Sequence, residues 1–445
     1  MQQLSSTKRR LTNMKPIDLK PTLLAVLFVL MLSPSETHAC SMYKVTVDGK
    51  TMVGCNHDAW LTTSKIWFVN APSADQYGAA FTGAREVSGG RTTPQSGMNT
   101  EGLVFSRLTS YHPERENAFP DRLKITDEAD YLTGILQSCA TVDEVKRYIE
   151  QYDHSRFLHD VFIYVDTAGN YLVVEPYSLT IGTDPNYVLA NFCPSITSVE
   201  DARELDRFRN GQDFLSARET STSLEFCREL SDTMHVDRKR NGDGTLLTSI
   251  WNTQEGEVSL YFYHDYDTVV SFNLSEELAK GDHVLDVPEL FPRNAKFERL
   301  VAYKTPSNTI ALRIALALSA ALLALIALVL IVAQLRRSPI SLRITLTIGL
   351  LNVLLVGYTA VLFSNKAIFY FDAPYQHYSS SLISASSYLP FILLLAFVPL
   401  TAYAVRVLKS DKYRTWTKVL LVINQLQYLL LLVGFGYWGL FNFWN

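Results

Sequence analysis

The residue best suited to act as a nucleophile lies at the boundary between an export signal and a strand. In the segment from Glu36 to Trp60, ETHACSMYKVTVDGKTMVGCNHDAW, Cys40 follows a leader that ends in the small residues of Thr37–Ala39. Cleavage before Cys40 would leave one residue with both a thiol and a free α-amino group. Such an amine titrates near pH ~8 and can accept a thiol proton at neutral pH. A cysteine at this boundary therefore predicts a nucleophile that supplies its own base.

The first 39 residues have the parts of a secretory signal. An apolar run, Thr22–Leu32, is too short to cross a bilayer of roughly 30 Å. It follows a basic lead of Lys8, Arg9, Arg10, Lys15 and Lys20, and Met14 would begin a shorter leader of the same kind. We expect residues 1–39 to be removed. The alternative role for Cys40 is the lipidated cysteine of a lipoprotein, although Thr37 stands where such signals usually have Leu.

A hairpin brings Cys40 back toward a second group of polar residues. Asp48–Gly49 lies between two alternating runs, which is a strong signal for a two-residue turn. The residue numbers of two paired positions then add up to 97, so Cys40 lies opposite His57 and close to Asp58. An ideal ladder places His57 on the face of Cys40 and Asp58 on the other face, although strand ends often bulge. Asp58 either orients the amine or caps a turn. His57 either acts as a thiol base or, as we favour, is a solvent-facing residue at a strand end.

The region between Cys40 and about residue 305 has the pattern of one α+β domain. Helical patterning fits Asp127–Gln137, Thr141–Gln151, Ser198–Arg209 and Ser223–Thr233. Strand-like alternation is found at Ser41–Val47, Lys50–Cys55, Lys65–Val69, Leu103–Leu108, Val161–Val165, Tyr171–Glu175, Thr245–Asn252, Val258–His264 and Thr268–Asn273.

The C-terminal part, residues 306–445, is far more apolar than the rest of the 445-residue chain. Each of four segments offers about 20 mostly apolar residues, the length that a membrane-spanning helix requires. These segments are Ile314–Leu335, Ile344–Phe363, Ile383–Val405 and Val419–Leu440. Pro390 and Pro399 should kink the third, and the absence of Asp, Glu and Lys from mid-span argues against an ion path.

The short loops between these segments predict the orientation. Arg336, Arg337 and Arg343 follow the first segment, and five basic residues, from Arg406 to Lys418, follow the third, whereas Lys366 alone lies between the second and third. Positive residues stay on the cytoplasmic side. We therefore expect the region before Ile314 to lie outside the cytoplasm.

The remaining cysteines leave two alternatives open. Cys55, Cys139, Cys193 and Cys227 either form two disulfides, with Cys55–Cys193 as the first candidate, or stay reduced and buried. Their spacing does not predict a zinc site, and a net charge of −4 gives no sign of nucleic-acid binding.

The order of four motifs resembles a known family. The hairpin DGKTMVGCNHDAW is followed by GMNTEGL at Gly97–Leu103, YVLANF at Tyr187–Phe192 and LTSIWNTQEGEVSLYFYHDYDTVVSFNLSEELAKGD from Leu247. Together they resemble the choloylglycine hydrolase and penicillin V acylase group of N-terminal nucleophile hydrolases. The last motif is most similar to the branch with isopenicillin N acyltransferase and carcinine-hydrolase-like proteins. The resemblance covers nearly the whole exported domain and none of the four apolar segments.

This resemblance implies a four-layer αββα sandwich that hydrolyses a linear, non-peptide amide through a thioester, without a cofactor. Cys40 would be nucleophile and base, Asp58 would hydrogen-bond the amine, and Asn191 would donate to the oxyanion. The backbone N–H of Thr109 would be a second oxyanion donor. Asn191 could instead only shape a turn.

The resemblance also implies that Arg207 supports the nucleophile, with Arg203 and Arg209 as substitutes if the register is displaced. The alternative is that Arg207 lies on a solvated helix face. One departure is Cys55, because many members have arginine at that position.

We expect a membrane-anchored amidase that acts on a small-molecule acyl amide. The alternatives are an acyltransferase of the same mechanism, a membrane receptor or scaffold with an exported ligand-binding domain, and, less well supported, a transporter with an accessory domain.

Overall fold

A computed structural model describes residues 40–59, 62–87, 90–237, 244–336, 340–370 and 381–442. The predicted leader, residues 1–39, lies outside the described residues.

Two antiparallel sheets form the domain that begins at Cys40. The first has the order β10-β1-β2-β11-β12-β13. Its strands are β1 Cys40–Val47, β2 Lys50–Ala59, β10 Asn186–Leu189, β11 Gly244–Asn252, β12 Glu257–Phe262 and β13 Asp265–Asn273. The predicted register of the first hairpin is confirmed, since Cys40 pairs with His57 and Tyr43 with Gly54. Asp48 and Gly49 both adopt positive φ, as a two-residue hairpin turn requires.

The second sheet has the order β14-β3-β4-β5-β6-β7-β8-β9. Its strands are β3 Lys65–Val69, β4 Ala79–Gly83, β5 Ser96–Asn99, β6 Val104–Thr109, β7 Asp160–Val165, β8 Tyr171–Val174, β9 Leu179–Gly182 and β14 His283–Asp286. Several of these strands are only four residues long, and β4 and β5 are buried along their whole length. A buried strand needs no polar face, which explains why alternation did not predict β4 or β5.

The described part of this region also contains the helices α1 Glu128–Ser138, α2 Val142–Ile149, α3 Val199–Ala202, α4 Asp206–Ala217, α5 Leu224–Met234, α6 Leu274–Leu278 and α7 Ala295–Ala302. Side-chain caps explain where several of them begin. Asp127 caps α1, Ser223 caps α5, and Thr141 and Glu144 form a capping box on α2. The single helix predicted over Ser198–Arg209 is two helices, α3 and α4, because the chain turns between them.

Three hydrophobic clusters hold these elements together. The first lies between the sheets, where Met42 and Val53 of the first sheet meet Val104 and Ile163 of the second. The second covers the other face of the second sheet and includes residues of α1 and α2, and the third joins the other face of the first sheet to α4 and α5. The predicted α+β class is confirmed as two antiparallel sheets with helices packed against both.

The cysteines are separated by these clusters. Cys55 is in the first cluster, Cys139 in the second and Cys227 in the third. The Sγ of Cys193 lies 3.3 Å from the Oγ of Ser110. All five cysteines are free and buried, so the Cys55–Cys193 disulfide is wrong and the reduced alternative holds.

Four helices that follow are long and apolar enough to cross a membrane, as predicted: Ile310–Leu335, Leu342–Ser364, Ile383–Leu408 and Thr415–Tyr437. We label their helical parts α8 Ile310–Leu335, α9 Leu342–Ser364, α10 Ser381–Ser386, α11 Leu389–Leu408 and α12 Thr415–Tyr437. The third span is interrupted between α10 and α11, immediately before Pro390, whereas Pro399 stays inside α11. Proline favours the first turn of a helix, so the interruption at Pro390 has a local cause.

Candidate active site

Cys40 opens β1 and is almost completely buried. Its backbone nitrogen donates a hydrogen bond to Oδ1 of Asn191 at 2.8 Å. In the uncleaved chain this nitrogen belongs to a peptide bond, and cleavage before Cys40 would turn the same atom into an α-amine. The bond therefore marks the position that the predicted base would occupy.

Asn191, which follows β10, is held at both ends of its side-chain amide. Its Oδ1 also accepts a hydrogen bond from Nε of Arg207 at 2.9 Å, and its Nδ2 donates to the carbonyl oxygen of Thr109 at 2.6 Å. Because the nitrogens of Cys40 and Arg207 are both donors, only the amide oxygen can face them. The orientation of Asn191 is therefore fixed, and it is more than a turn residue.

Arg207 lies in the first turn of α4 and is buried. The two arginines considered as substitutes point elsewhere: Arg203 pairs with Asp213 at 2.8 Å, and Arg209 pairs with Asp206. The structure thus brings Arg207 into the surroundings of Cys40 and leaves Arg203 and Arg209 in surface ion pairs. The solvated-face alternative for Arg207 is wrong.

A β-bulge shapes the surroundings of Asp58. Thr245 pairs with Asp58 and Leu247 with His57, so Leu246 is the extra residue on β11. The hydroxyl of Thr245 donates to Oδ1 of Asp58 at 2.6 Å. The backbone N–H of Asp58 hydrogen-bonds the sulfur of Cys40, which lowers the pKa of the thiol. Asp58 is therefore beside Cys40, while its action on the amine stays a prediction.

His57 is not the solvent-facing residue that we favoured. It is buried on an interior strand, and its Nε2 lies 3.0 Å from the Oγ of Ser96 on the second sheet. Burial lowers the pKa of His57 to about 3. The imidazole is therefore neutral at physiological pH and is a weak proton acceptor, which also argues against His57 as the base.

Gln95 is a site residue that the sequence did not reveal. Its Nε2 is 3.5 Å from the Sγ of Cys40. Behind it, the hydroxyl of Ser96 contacts those of Thr82 and Ser249 at 2.6 and 3.1 Å. These residues come from strands of both sheets, so no local pattern could have predicted that they meet.

The thiol of Cys40 does not ionise readily in these surroundings. Burial, helped by the charge of Asp58, raises its pKa to about 12. The backbone N–H groups of Asp58 and Thr109 and the charge of Arg207 act in the opposite direction. The thiol is consequently protonated at neutral pH and requires a base within hydrogen-bonding distance to become a nucleophile.

A narrow crevice runs beside these residues. It is lined by His57, Ala59, Ser64, Gly83, Ala84, Gln95, Leu246 and Leu247. Its polar side chains are those of His57, Ser64 and Gln95, and Nε2 of Gln95 faces the sulfur of Cys40. Within the described ranges, no group of three or more His, Cys, Asp and Glu residues could hold a metal ion.

Solved structures of two other proteins are similar to this chain. A mutant of conjugated bile acid hydrolase from Clostridium perfringens is 15% identical, with a TM-score of 0.42, over 57% of this chain and 97% of the other. Penicillin V acylase from Agrobacterium tumefaciens is 14% identical, with a TM-score of 0.42, over 56% of this chain and 92% of the other. No protein-family model matches the chain, and no curated protein sequence matches it either.

Proposed function

We propose that this protein is a membrane-anchored amidase of the N-terminal nucleophile type. Its exported domain is a four-layer αββα sandwich that lies outside the cytoplasm. It hydrolyses a linear, non-peptide C–N amide bond through a thioester on Cys40. A small-molecule acyl amide is the substrate.

One observation carries this proposal. The backbone nitrogen of Cys40 and the guanidinium of Arg207 share one acceptor, the Oδ1 of Asn191, at 2.8 and 2.9 Å. Any buried backbone N–H requires an acceptor, but here the acceptor is a side-chain amide that is itself held by Arg207 and by the carbonyl oxygen of Thr109. The arrangement is suited to an α-amine that must be held beside its thiol, which has a pKa raised to about 12 and depends on that base.

The reaction would proceed in two halves. The α-amine takes the thiol proton, the sulfur bonds to the amide carbonyl carbon, and the carbonyl oxygen becomes an oxyanion. Collapse breaks the C–N bond, and the ammonium of Cys40 returns the proton to the leaving amine. Water then gives a proton to the α-amine, attacks the thioester and releases the carboxylic acid and the thiol. Transfer to a second amine in place of water would make the protein an acyltransferase.

We assign two donors to the oxyanion. The backbone N–H of Thr109 lowers the pKa of the Cys40 thiol and is therefore close to where the new bond would form. The Nδ2 of Asn191 uses one hydrogen for the carbonyl of Thr109 and has a second one for the substrate. Such donors act on charge that develops in the transition state.

Analysis of the mature chain by intact mass and N-terminal sequencing tests the proposal first. A free Cys40 at the N-terminus is expected. A diacylglyceryl adduct would support the lipoprotein alternative, and retained upstream residues would contradict both.

A matched pair of variants tests the chemistry. Cys40→Ala should abolish amide turnover and thioester formation, measured by mass spectrometry after a rapid acid quench. Cys139→Ala, at another buried free cysteine, should retain both. Ligand binding without turnover in the wild-type protein would instead favour the receptor alternative.

A further inference from the structure

The exported domain has two chemically different ends. At the end with the Asp48–Gly49 turn, Gln254 donates hydrogen bonds to the carbonyl oxygens of Gly49 and Thr167, at 2.8 and 2.9 Å. Lys50 forms an ion pair with Glu255 beside them. The eight residues of β1 separate this polar end from Cys40 by about 26 Å.

The end with Cys40 is connected to the segment that leads into the membrane helices. The carbonyl oxygen of Ser64, a crevice residue, accepts a hydrogen bond from the nitrogen of Val287 at 2.9 Å. The carbonyl oxygen of Leu246, a second crevice residue, accepts one from Tyr263 at 3.1 Å. Asn294, which caps α7, then donates to the carbonyl oxygen of Tyr263 at 3.1 Å. Two walls of the crevice are therefore bound to this connecting segment.

The connecting segment ends on the membrane helices themselves. The hydroxyl of Tyr303, directly after α7, donates to the carbonyl oxygens of Phe369 and Trp438 at 3.0 and 3.3 Å. The indole of Trp438 donates back to the carbonyl oxygen of Lys304 at 3.2 Å. Phe369 and Trp438 follow the second and fourth spans, so these bonds hold α7 at one end of the helical region. The path along the chain from Val287 to Tyr303 is at most about 35 Å.

Apolar side chains are continuous along this path. Phe297 of α7 packs edge-on against Phe262 and Tyr263, with ring centroids 4.9 and 5.1 Å apart. Leu246 and Leu247 of the crevice and Leu300 of α7 belong to the same hydrophobic cluster, which extends into the four apolar helices. At the junction between α7 and the apolar helices, the apolar side chains of Val301 and Ile310 are exposed. A membrane would therefore lie on the side of the domain that holds Cys40.

From this placement we infer that the substrate is an amphiphilic N-acyl amide, whose acyl chain resides in the bilayer leaflet next to the exported domain. The inference rests on the proposed function. A water-soluble amide would have to approach the end of the domain that the bilayer covers. An amide held by its acyl chain in that leaflet would start beside the crevice, with its polar amine directed to water. Ala84, Leu246 and Leu247 give the crevice apolar walls, and since it has no free volume in the structure, these walls would have to part to admit the first part of such a chain.

The test uses the full-length, processed protein in phosphatidylcholine vesicles. Two fluorogenic substrates share one aminocoumarin and differ in the acyl group, which is palmitoyl or butyryl. We expect kcat/KM for the palmitoyl amide to exceed that for the butyryl amide by at least tenfold. Equal turnover, or a preference for the butyryl amide, would overturn the inference and leave the proposed amidase intact.

A pair of tyrosine variants tests separately whether the substrate enters from the membrane. Tyr303→Phe removes the hydroxyl that holds α7 on the spans but keeps the ring. It should lower kcat/KM for the palmitoyl amide about three- to tenfold, and leave the butyryl amide unchanged. The control is Tyr177→Phe. The hydroxyl of Tyr177 accepts a hydrogen bond from the backbone of Arg115, far from the junction, and its removal should change kcat/KM for neither substrate. An equal effect of Tyr303→Phe on both substrates would count against entry from the membrane. If wild-type protein with free Cys40 cleaves no amide, the proposed function fails, and this inference with it.

Discussion

Replacing Asn191 by Asp separates the two tasks that we assign to its side chain. Asp keeps an oxygen where Oδ1 accepts hydrogen bonds from Cys40 and Arg207. The Nδ2 atom becomes a second oxygen, which can donate neither to the carbonyl of Thr109 nor to an oxyanion. Asn191→Asp therefore preserves the hold on the amine and removes the donor.

The size of the effect follows from these contacts. Loss of one oxyanion donor lowers kcat by about 100- to 1,000-fold. The new carboxylate also places a negative charge where the oxyanion develops, so the upper part of this range is expected. The substitution removes the hydrogen bond to Thr109 and leaves a carboxylate oxygen facing the Thr109 carbonyl oxygen, 2.6 Å away before relaxation. This would destabilise the fold by about 1–3 kcal/mol. An ion pair with Arg207 offsets part of this cost.

Rapid-quench measurement of thioester formation gives the acylation rate, and a thermal melt gives the stability. Asn210→Asp, on α4, is the matched control, because it also removes an amide donor from a carbonyl oxygen, that of Thr233. It should leave the acylation rate unchanged and lower the stability by less than Asn191→Asp does, because this bond is exposed. A folded Asn191→Asp protein with kcat within about tenfold of the wild type would refute the oxyanion role of Asn191.

Three further outcomes follow from the geometry. Arg207→Met removes a hydrogen bond and a positive charge that favours the thiolate, so kcat should fall about 10- to 100-fold in a fluorogenic amide assay, whereas Arg209→Met should leave it unchanged. Burial lowers the pKa of His154 to about 3 from 6.5. The folded state therefore favours the neutral form of His154. The stability that this preference contributes is complete above pH ~6.5. As the pH falls from there toward 3, the free energy of unfolding decreases by up to about 1.4 kcal/mol per pH unit. His154→Phe should flatten that acid limb in thermal melts of the full-length protein in detergent, and an unchanged limb would contradict this assignment. Tyr428→Phe removes a 2.6 Å hydrogen bond to Asn352 between membrane helices, and should destabilise the protein by about 0.5–2 kcal/mol in a detergent melt without changing amide turnover.

The hairpin could be predicted residue by residue because its cause is local. A two-residue turn at Asp48–Gly49 fixes every pair, including Cys40 with His57, without any other part of the chain. The four long apolar helices were predictable for a similar reason, since length and apolar composition are read along one segment. Pro390 also marked the break in the third helix.

The surroundings of Cys40 could not be predicted in the same way. The bulge at Leu246 comes from a strand about two hundred residues later in the chain, and it decides what lies beside Asp58. His57 was misjudged because a strand end looks exposed until β11 and the second sheet cover it. Gln95 lies in a loop with no pattern of its own, and its contact with Cys40 depends on how the two sheets stack.

The hydrogen bond between the nitrogen of Cys40 and Asn191 also sets an order of events during biogenesis. The nitrogen at the expected cut belongs to a residue that is only 3% exposed. A protease needs an accessible, extended segment around the bond that it cuts. If the leader is removed between residues 39 and 40, removal must therefore precede docking of β1 between its neighbours. Translocation and processing would then finish before the two sheets close. A chain whose leader is cut too slowly would dock β1 first and keep the nitrogen of Cys40 in a peptide bond, without the α-amine that the chemistry needs.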